Sequence, residues 1–288
     1  MKFTPSRTGW SLPKTGEVVY NKSVTSDCLR LGLEISPSLG RITPGQFIHL
    51  KLTETIEPFL RRPFSIFNVI EDEPDEPSVV EVLYRVVGKG TRLMAQMKPG
   101  VRLSVLGPLG NGFQVKVRAK YHILVAGGIG IAALHLLMRQ FISTGQACSE
   151  PRESKERIYL LYGAKTSQNL ILPRGIAGLN YQVATEDGSR GKKGLVTDLL
   201  KDVLDELRQK KSAQVYACGP AGMTKAICKI SREYGIRTQI SLEQWMGCGV
   251  GLCRACVYPV KSGDGFRYAT VCSEGPVFEA DQLYIANQ

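Results

Sequence analysis

Four cysteines near the C-terminus constrain this chain more than any other feature. Cys248, Cys253, Cys256 and Cys272 are spaced C-x4-C-x2-C-x15-C, and the opening of that run matches the plant-type pattern for a [2Fe–2S] cluster. Each iron of such a cluster takes two thiolates, and backbone N–H groups of the loop satisfy the sulfur atoms. Gly247, Gly249 and Gly251 interleave with the first ligands. Glycine reaches positive φ and carries no Cβ, so the loop can close tightly. A structural zinc more typically takes two short Cys pairs, whereas the fourth thiol here stands alone. Zinc is the competing reading and unliganded thiols a third. The chain is expected to fold around a one-electron carrier.

At 288 residues there is room for about two domains and something small around the cluster. A content of 43% hydrophobic and 22% charged residues supports ordinary globular cores. No run approaches the ~18 apolar residues of a membrane span, and the basic N-terminus lacks the apolar core of a secretion signal. Cys28, Cys148, Cys218 and Cys228 are scattered without a framework, which beside a cluster points to a reducing, cytoplasmic setting. The net charge of +11 raises the question of nucleic acid. The basic residues form no long tract and have no interleaved aromatics, so acidic cofactors or an acidic partner explain them better.

Along the chain, alternating segments at 17–20, 28–35, 46–52, 64–70 and 79–87 read as strands, with a short helix near 91–97 and a strand at 101–105. The acidic, proline-rich stretch 71–78 reads as a solvated hairpin tip. Several short strands with turn signals predict a small antiparallel barrel over 1–118. From 121 the pattern changes. Apolar strands at 121–126, 158–162, 181–184 and 214–217 alternate with helices at 131–143, 196–209 and 223–234, with a polar loop at 144–157, which predicts a doubly wound parallel sheet over 119–240. Residues 241–288 form a small cluster subdomain.

Three sites stand out. Gly128-x-Gly130-x-x-Ala133 follows a strand and opens a helix, where glycine lets the backbone approach a pyrophosphate at a helix N-terminus. The acidic residue of the standard fold is missing at the end of the next strand, where Tyr162, Gly163, Ala164 and Lys165 stand, so the dinucleotide geometry differs from it. Arg62, Pro63, Phe64 and Ser65 place an arginine fork suited to a diphosphate beside a hydroxyl at a strand start; taken alone they also read as a strand entry with surface arginines. Leu83, Tyr84 and Arg85, then Gly90 and Thr91, add a cation and a glycine turn with a hydroxyl. Cys218, Gly219 and Pro220 close a buried strand at the sheet edge where open α/β folds bind ligands, or simply terminate it. His49, His122 and His135 sit in apolar segments and read as structural.

Taken in order, Arg-Pro-x-Ser, Tyr-Arg with Gly-x-Gly-Thr, the run from Gly107 to Phe113, the glycine-rich turn and Cys-Gly-Pro resemble the ferredoxin–NADP reductase superfamily. The run from Cys248 to Cys256 with that from Val271 to Phe278 narrows the resemblance to electron-transfer subunits of type B dihydroorotate dehydrogenase. The resemblance implies FAD on Arg62, Pro63, Phe64, Ser65, Leu83, Tyr84, Arg85, Gly90 and Thr91, and NAD(H) at Gly128, Gly130, Cys218, Gly219 and Pro220. It implies a [2Fe–2S] cluster on Cys248, Cys253, Cys256 and Cys272. A partner subunit carrying FMN would oxidise dihydroorotate, two copies of each subunit would assemble, and electrons would pass through cluster and FAD to NAD⁺ in pyrimidine synthesis. No acid–base residue need be central, because the cofactors carry the chemistry. Two features depart from the pattern. Ala132 and Ala133 stand where related sequences carry proline, and the basic stretch 187–193 would suit a ribose 2′-phosphate. The competing readings are an FAD/[2Fe–2S] subunit of another reductase, such as a sulfhydrogenase or anaerobic sulfite reductase, and a non-catalytic zinc-bearing module.

Overall fold

The computed structural model describes residues 12–70, 78–115, 119–143, 157–171, 176 and 179–285. The expected hairpin tip at 71–78 (but for Ser78), the polar loop at 144–157 (but for Arg157), Cys148 and the first 11 residues lie outside the described residues. Two compact units result. One comprises residues up to Gly112 with Gln244–Tyr258 and Ala269–Pro276, and the other Phe113–Glu243 with Pro259–Tyr268 and Val277 onward.

In the first unit, β1 (Lys14–Ser23), β2 (Cys28–Ile35), β3 (Phe47–Lys51), β4 (Arg62–Ile70), β5 (Ser78–Arg85) and β6 (Arg102–Leu109) close an antiparallel barrel in the order β1-β2-β5-β4-β3-β6. The non-sequential pairs β2·β5 and β3·β6 make it a Greek key. Alternation along the strands buries Leu31, Leu33, Ile35, Ile48, Leu50, Val80, Val82 and Val105 completely, and each such side chain contributes about 1.5–3 kcal/mol by leaving water. The expected barrel is present, and its short helix is α1 (Lys89–Ala95).

The second unit carries a seven-stranded sheet in the order β10-β9-β8-β7-β11-β12-β15. Its strands are β7 (Tyr121–Gly127), β8 (Arg157–Ala164), β9 (Asn180–Thr185), β10 (Lys192–Lys193), β11 (Ala213–Cys218), β12 (Arg237–Ser241) and β15 (Val277–Glu279). All pairs are parallel except β12·β15. Helices α2 (Ile131–Ser143), α3 (Val196–Glu206) and α4 (Ala221–Tyr234) make the crossovers. The expected parallel sheet is there, with β10, β12 and β15 added to it. Between them in sequence, β13 (Val257–Ser262) and β14 (Gly265–Thr270) pair as a two-stranded sheet, and α5 (Val271–Glu274) carries Cys272, the last of the four C-terminal cysteines.

His122 and His135 are buried in this unit. His122 lies on β7 with Nδ1 3.0 Å from the Tyr216 hydroxyl and its ring 4.6 Å from that of Phe141. Burial pushes its pKa down from 6.5 to about 4. The fold therefore holds it neutral while the unfolded chain takes up a proton first, so stability is full above about 6.5 and falls as pH drops toward 4. The slope from one such group reaches ~1.4 kcal/mol per pH unit. Thermal unfolding of the native chain should lose midpoint faster over that window than His122→Gln does; parallel curves would refute it.

Candidate functional site: paired thiols, a flavin-type cradle and a glycine-lined turn

The four cysteines converge in the first unit as two pairs. Cys253 N–H donates to Cys248 Sγ at 3.4 Å, and Cys272 N–H to Cys256 Sγ at 3.4 Å. Val250 N–H also points at Cys248 Sγ, 3.4 Å away, and Gly251 N–H at Cys272 Sγ, 3.0 Å away. The loop reaches this form through Gly249 at φ 76°, Gly251 at φ 83° and Arg254 at φ 55°. Burial raises the Cys248 thiol, but the N–H groups of Cys253, Val250 and Leu252 outweigh it and bring the pKa down to about 7. Cys272 moves upward through burial and its closeness to Cys256. Two adjacent thiolates repel until a cation sits between them. Among the described residues no three His, Cys, Asp or Glu side chains converge on a single ion position. Two thiol pairs bathed in N–H donors fit a two-iron cluster, which takes two thiolates per iron.

The barrel holds this loop through residues the sequence motif contained without explanation. Asn111 N–H donates to the Gly275 carbonyl at 2.6 Å, and its side-chain amide to the Glu274 carbonyl at 3.0 Å. A Cβ on Gly110 would lie 2.5 Å from Pro276 Cδ. Gly110 and Asn111 thus seat the segment that follows Cys272.

The expected flavin-holding residues lie together on β4, β5 and the start of α1. Of two neighbouring arginines, Arg61 is committed to the fold, donating to the Ser104 carbonyl at 2.8 Å and the His49 carbonyl at 3.2 Å. Arg62 lies beside Gly90 instead: a Cβ there would sit 3.1 Å from Arg62 Nε. The Ser65 hydroxyl makes no hydrogen bond among the described residues. Phe64 meets Tyr84 edge-on at 6.0 Å, and Leu83 and Tyr84 are buried. Arg85 Nε is 3.0 Å from the Asp27 carboxylate. Thr91 Oγ1 accepts from the N–H groups of Val87 at 2.9 Å and Gly88 at 3.1 Å, so its hydroxyl shapes the turn. A cradle with a free hydroxyl, an arginine and a side-chain-free turn fits a flavin diphosphate. Asn21, which sequence reasoning missed, joins these parts: it accepts from the Tyr84 hydroxyl at 2.9 Å and donates to the Met94 carbonyl of α1 at 2.8 Å. Only the barrel's closure brings β1 beside α1, so no local signal marked it.

In the second unit, the two expected nucleotide-site turns meet at the C-terminal ends of neighbouring strands, where Ala126 on β7 pairs with Cys218 on β11. The sheet order reverses between these strands, which is where open α/β sheets bind ligands. Gly128 takes φ 54°. A Cβ on Gly130 would lie 2.2 Å from the Cys218 carbonyl oxygen, and one on Gly219 2.5 Å from Met223 Cε. Gly128, Gly130, Cys218, Gly219 and Pro220 are therefore one constellation. Burial pushes the Cys218 thiol strongly up, so it stays neutral. Tyr162, standing where an acid was missing, is buried and donates its hydroxyl to the Gly128 carbonyl at 3.1 Å while accepting from Ile171 N–H at 3.1 Å. Tyr162→Phe should raise the KM for nicotinamide nucleotide by about 3–10-fold, the loss of one such bond, with little change in kcat. An unchanged KM in steady-state assays would show that the turn holds without it. The basic stretch 187–193 is partly neutralised by the Lys192–Asp202 ion pair.

Residues 124–229 match a family model described as an oxidoreductase NAD-binding domain, and residues 243–284 one described as the iron–sulfur cluster binding domain of dihydroorotate dehydrogenase B. The second span contains all four cysteines. The chain is 36% identical over 251 residues to the dihydroorotate dehydrogenase B (NAD⁺) electron transfer subunit of Desulforamulus reducens, covering 86% of this chain and 89% of the relative. It is 35% identical over 267 residues to the subunit of the same name from Caldanaerobacter subterraneus subsp. tengcongensis, with 92% and 96% covered. A solved structure of NADH-dependent reduced ferredoxin-NADP oxidoreductase, reported for flavin-based electron bifurcation, matches with a TM-score of 0.76, 29% identity, and 96% and 91% of the two chains covered. A ferredoxin reductase of carbazole 1,9a-dioxygenase shares the fold with a TM-score of 0.64 at 22% identity, over 78% of this chain and 66% of that one. Identity at this level, sustained over both units and the cysteine segment, means that the chain belongs to the family of dihydroorotate dehydrogenase B electron transfer subunits.

Proposed function

We propose that this chain carries electrons from an FMN-containing dihydroorotate dehydrogenase partner to NAD⁺ in pyrimidine synthesis, in the cytoplasm and as two copies of each subunit. The observation that carries the reading is the pair of thiol pairs, each met by backbone N–H donors, inside the span matched to the family's cluster-binding model. Cys248, Cys253, Cys256 and Cys272 hold the [2Fe–2S] cluster, and the zinc-bearing module is set aside with that assignment. When bound, the cluster supplies one-electron transfer and FAD converts single electrons into the hydride that nicotinamide accepts.

The chain's own residues position and tune. Arg62 meets the FAD diphosphate, Ser65 offers its hydroxyl to the flavin ring, and Pro63, Phe64, Leu83 and Tyr84 wall the cradle. Arg85 adds positive charge, and Thr91 with Gly90 keeps the turn before α1 open to a phosphate. Gly128 and Gly130 admit the nucleotide's pyrophosphate, and Cys218, Gly219 and Pro220 border the nicotinamide. NAD⁺ as the acceptor is supported by the relatives, whose names carry NAD⁺.

Arg254 is exposed between two ligand cysteines and forms part of the face offered to the partner. Arg254→Glu should slow electron entry from the partner by about tenfold or more and spare NADH oxidation with an artificial acceptor. Equal loss of both rates would sink that assignment.

The primary test is an absorbance spectrum of the anoxically purified chain, with flavin, iron and acid-labile sulfide assayed on the same sample. About one FAD, two irons and two sulfides per chain, bleached by NADH, are expected. A colourless, zinc-holding protein after attempted reconstitution would overturn the reading. The likeness to the NADH-dependent ferredoxin-NADP oxidoreductase favours one alternative, service to a different reductase. Co-purification with an FMN protein that oxidises dihydroorotate separates the two.

A further inference from the structure

His49 is completely buried, and neither ring nitrogen has a hydrogen-bond partner among the described residues. The backbone of Cys248 and of Arg61 runs beside the ring without reaching hydrogen-bond geometry. The loop after Cys248 packs against it: a Cβ on Gly249 would lie 2.5 Å from His49 Nδ1. Gly249 follows Cys248 directly and takes φ 76°. The imidazole thus occupies the space that the absent side chain leaves, and the turn after the first ligand rests on it.

The strand beneath gives this contact its direction. On β3, Ile48 and Leu50 lie on one face, and Phe47 and His49 on the other. Cross-strand register pairs Phe47 with Ser65 and His49 with Pro63, and directly opposed residues share a face. The face on which His49 supports the Cys248 turn is therefore the face that carries Pro63 and Ser65 of the flavin-holding run. One side chain separates a cluster ligand's turn from the flavin strand. A polar ring with unpartnered nitrogens is also an unusual filler for a sealed contact between glycine and strand, where leucine would pack without the desolvation penalty.

We propose that His49 is a positioning residue for electron transfer, seating the Cys248–Gly251 turn on the flavin-carrying face and presenting a polar ring edge to the cluster. The proposal rests on the cluster reading above. Hydrogen bonding and burial around the sulfur atoms set the potential of such clusters. An N–H dipole directed at a group that gains negative charge on reduction favours the reduced form. His49→Leu keeps the bulk and removes the dipole, so the cluster should titrate at a lower midpoint potential than in the native chain. His49→Gln restores an N–H donor and should recover part of the shift.

The test uses the native full-length chain labelled with ¹⁵N-histidine, reduced, and examined by pulsed electron paramagnetic resonance. A histidine nitrogen coupled to the cluster is expected. Only three histidines are present, and loss of the coupling in His49→Leu assigns it. Redox titration of both variants then reads the potential. A reduced cluster with no histidine coupling overturns the proposal, as does a coupling with no shift in His49→Leu, which reduces His49 to packing. If neither variant holds a cluster, the coupling in the native chain decides alone. Absence of any cluster signal from the native chain is a different result: it removes the underlying reading.

Discussion

Cys256→Ala should abolish cluster loading. Iron and acid-labile sulfide fall to background, and electron transfer from the partner drops by more than the ~10–100-fold that loss of an outer-shell partner costs. The reason is geometric. Cys256 is 2% exposed and pairs with Cys272, whose N–H donates to Cys256 Sγ. Apart from the Cys248–Cys253 pair, no thiol, histidine or carboxylate groups with them among the described residues to substitute. Oxidation of NADH by an artificial acceptor should survive, because the flavin cradle uses none of these residues. Iron and sulfide assays with both activities check it. Retention of a full cluster would show that the ligands have been misassigned.

Gly130→Ala should act on the nucleotide side. The new Cβ would lie 2.2 Å from the Cys218 carbonyl oxygen and 2.5 Å from its carbon. Both obstacles are backbone, so neither can rotate away, and the glycine turn and the Cys-Gly-Pro turn must move apart. Overpacking of this kind costs about 1–3 kcal/mol. Because the displaced turns are the proposed nucleotide seat, the KM for NADH should rise by about tenfold or more, with a lowered unfolding midpoint. Flavin and iron content should stay at native levels. A variant with native KM would place the pyrophosphate elsewhere.

The parts of the fold that were legible in the sequence share a local cause. The cores of β2, β7, β8 and β11 and the extent of α2 could be read from hydrophobic period and flanking glycine, since each buries its apolar residues in a pattern set by its own geometry. The strands that went unread have weaker local signals. β10 is two exposed lysines, paired with Ala184 and Thr185 and tied by the Lys192–Asp202 ion pair. In β12, Thr238, Gln239 and Ser241 are buried polar residues among few apolar ones, and the strand forms because β11 and β15 satisfy it on either side. β15 is only Val277–Glu279, anchored where Arg237 donates to the Glu279 carboxylate at 3.0 and 3.1 Å.

For the sites, short-range chemistry was readable and long-range support was not. The C-terminal cysteines, the glycine turn and Cys-Gly-Pro are short motifs whose residue types suit the ligands proposed for them. Asn21, Tyr162, Met223 and the contact of His49 with Gly249 depend on which strands become neighbours. His49 looked like an ordinary core histidine because its distinguishing neighbour lies 200 positions away.

By itself, then, the sequence determined the chemistry: four thiols at cluster spacing, two glycine-dependent turns, an arginine with a hydroxyl, and the barrel and parallel-sheet classes that follow from strand and helix periods. The tertiary structure alone decided how the C-terminal segment is shared. Gln244–Tyr258 and Ala269–Pro276 pack with the barrel, whereas Pro259–Tyr268 and Val277 onward pack with the sheet. Periodicity reports which face of an element is buried, not what buries it. That choice is made when Asn111 finds Gly275, Gly249 finds His49 and Phe278 pairs with Ile240, contacts whose energy exists only once the chain has closed on itself.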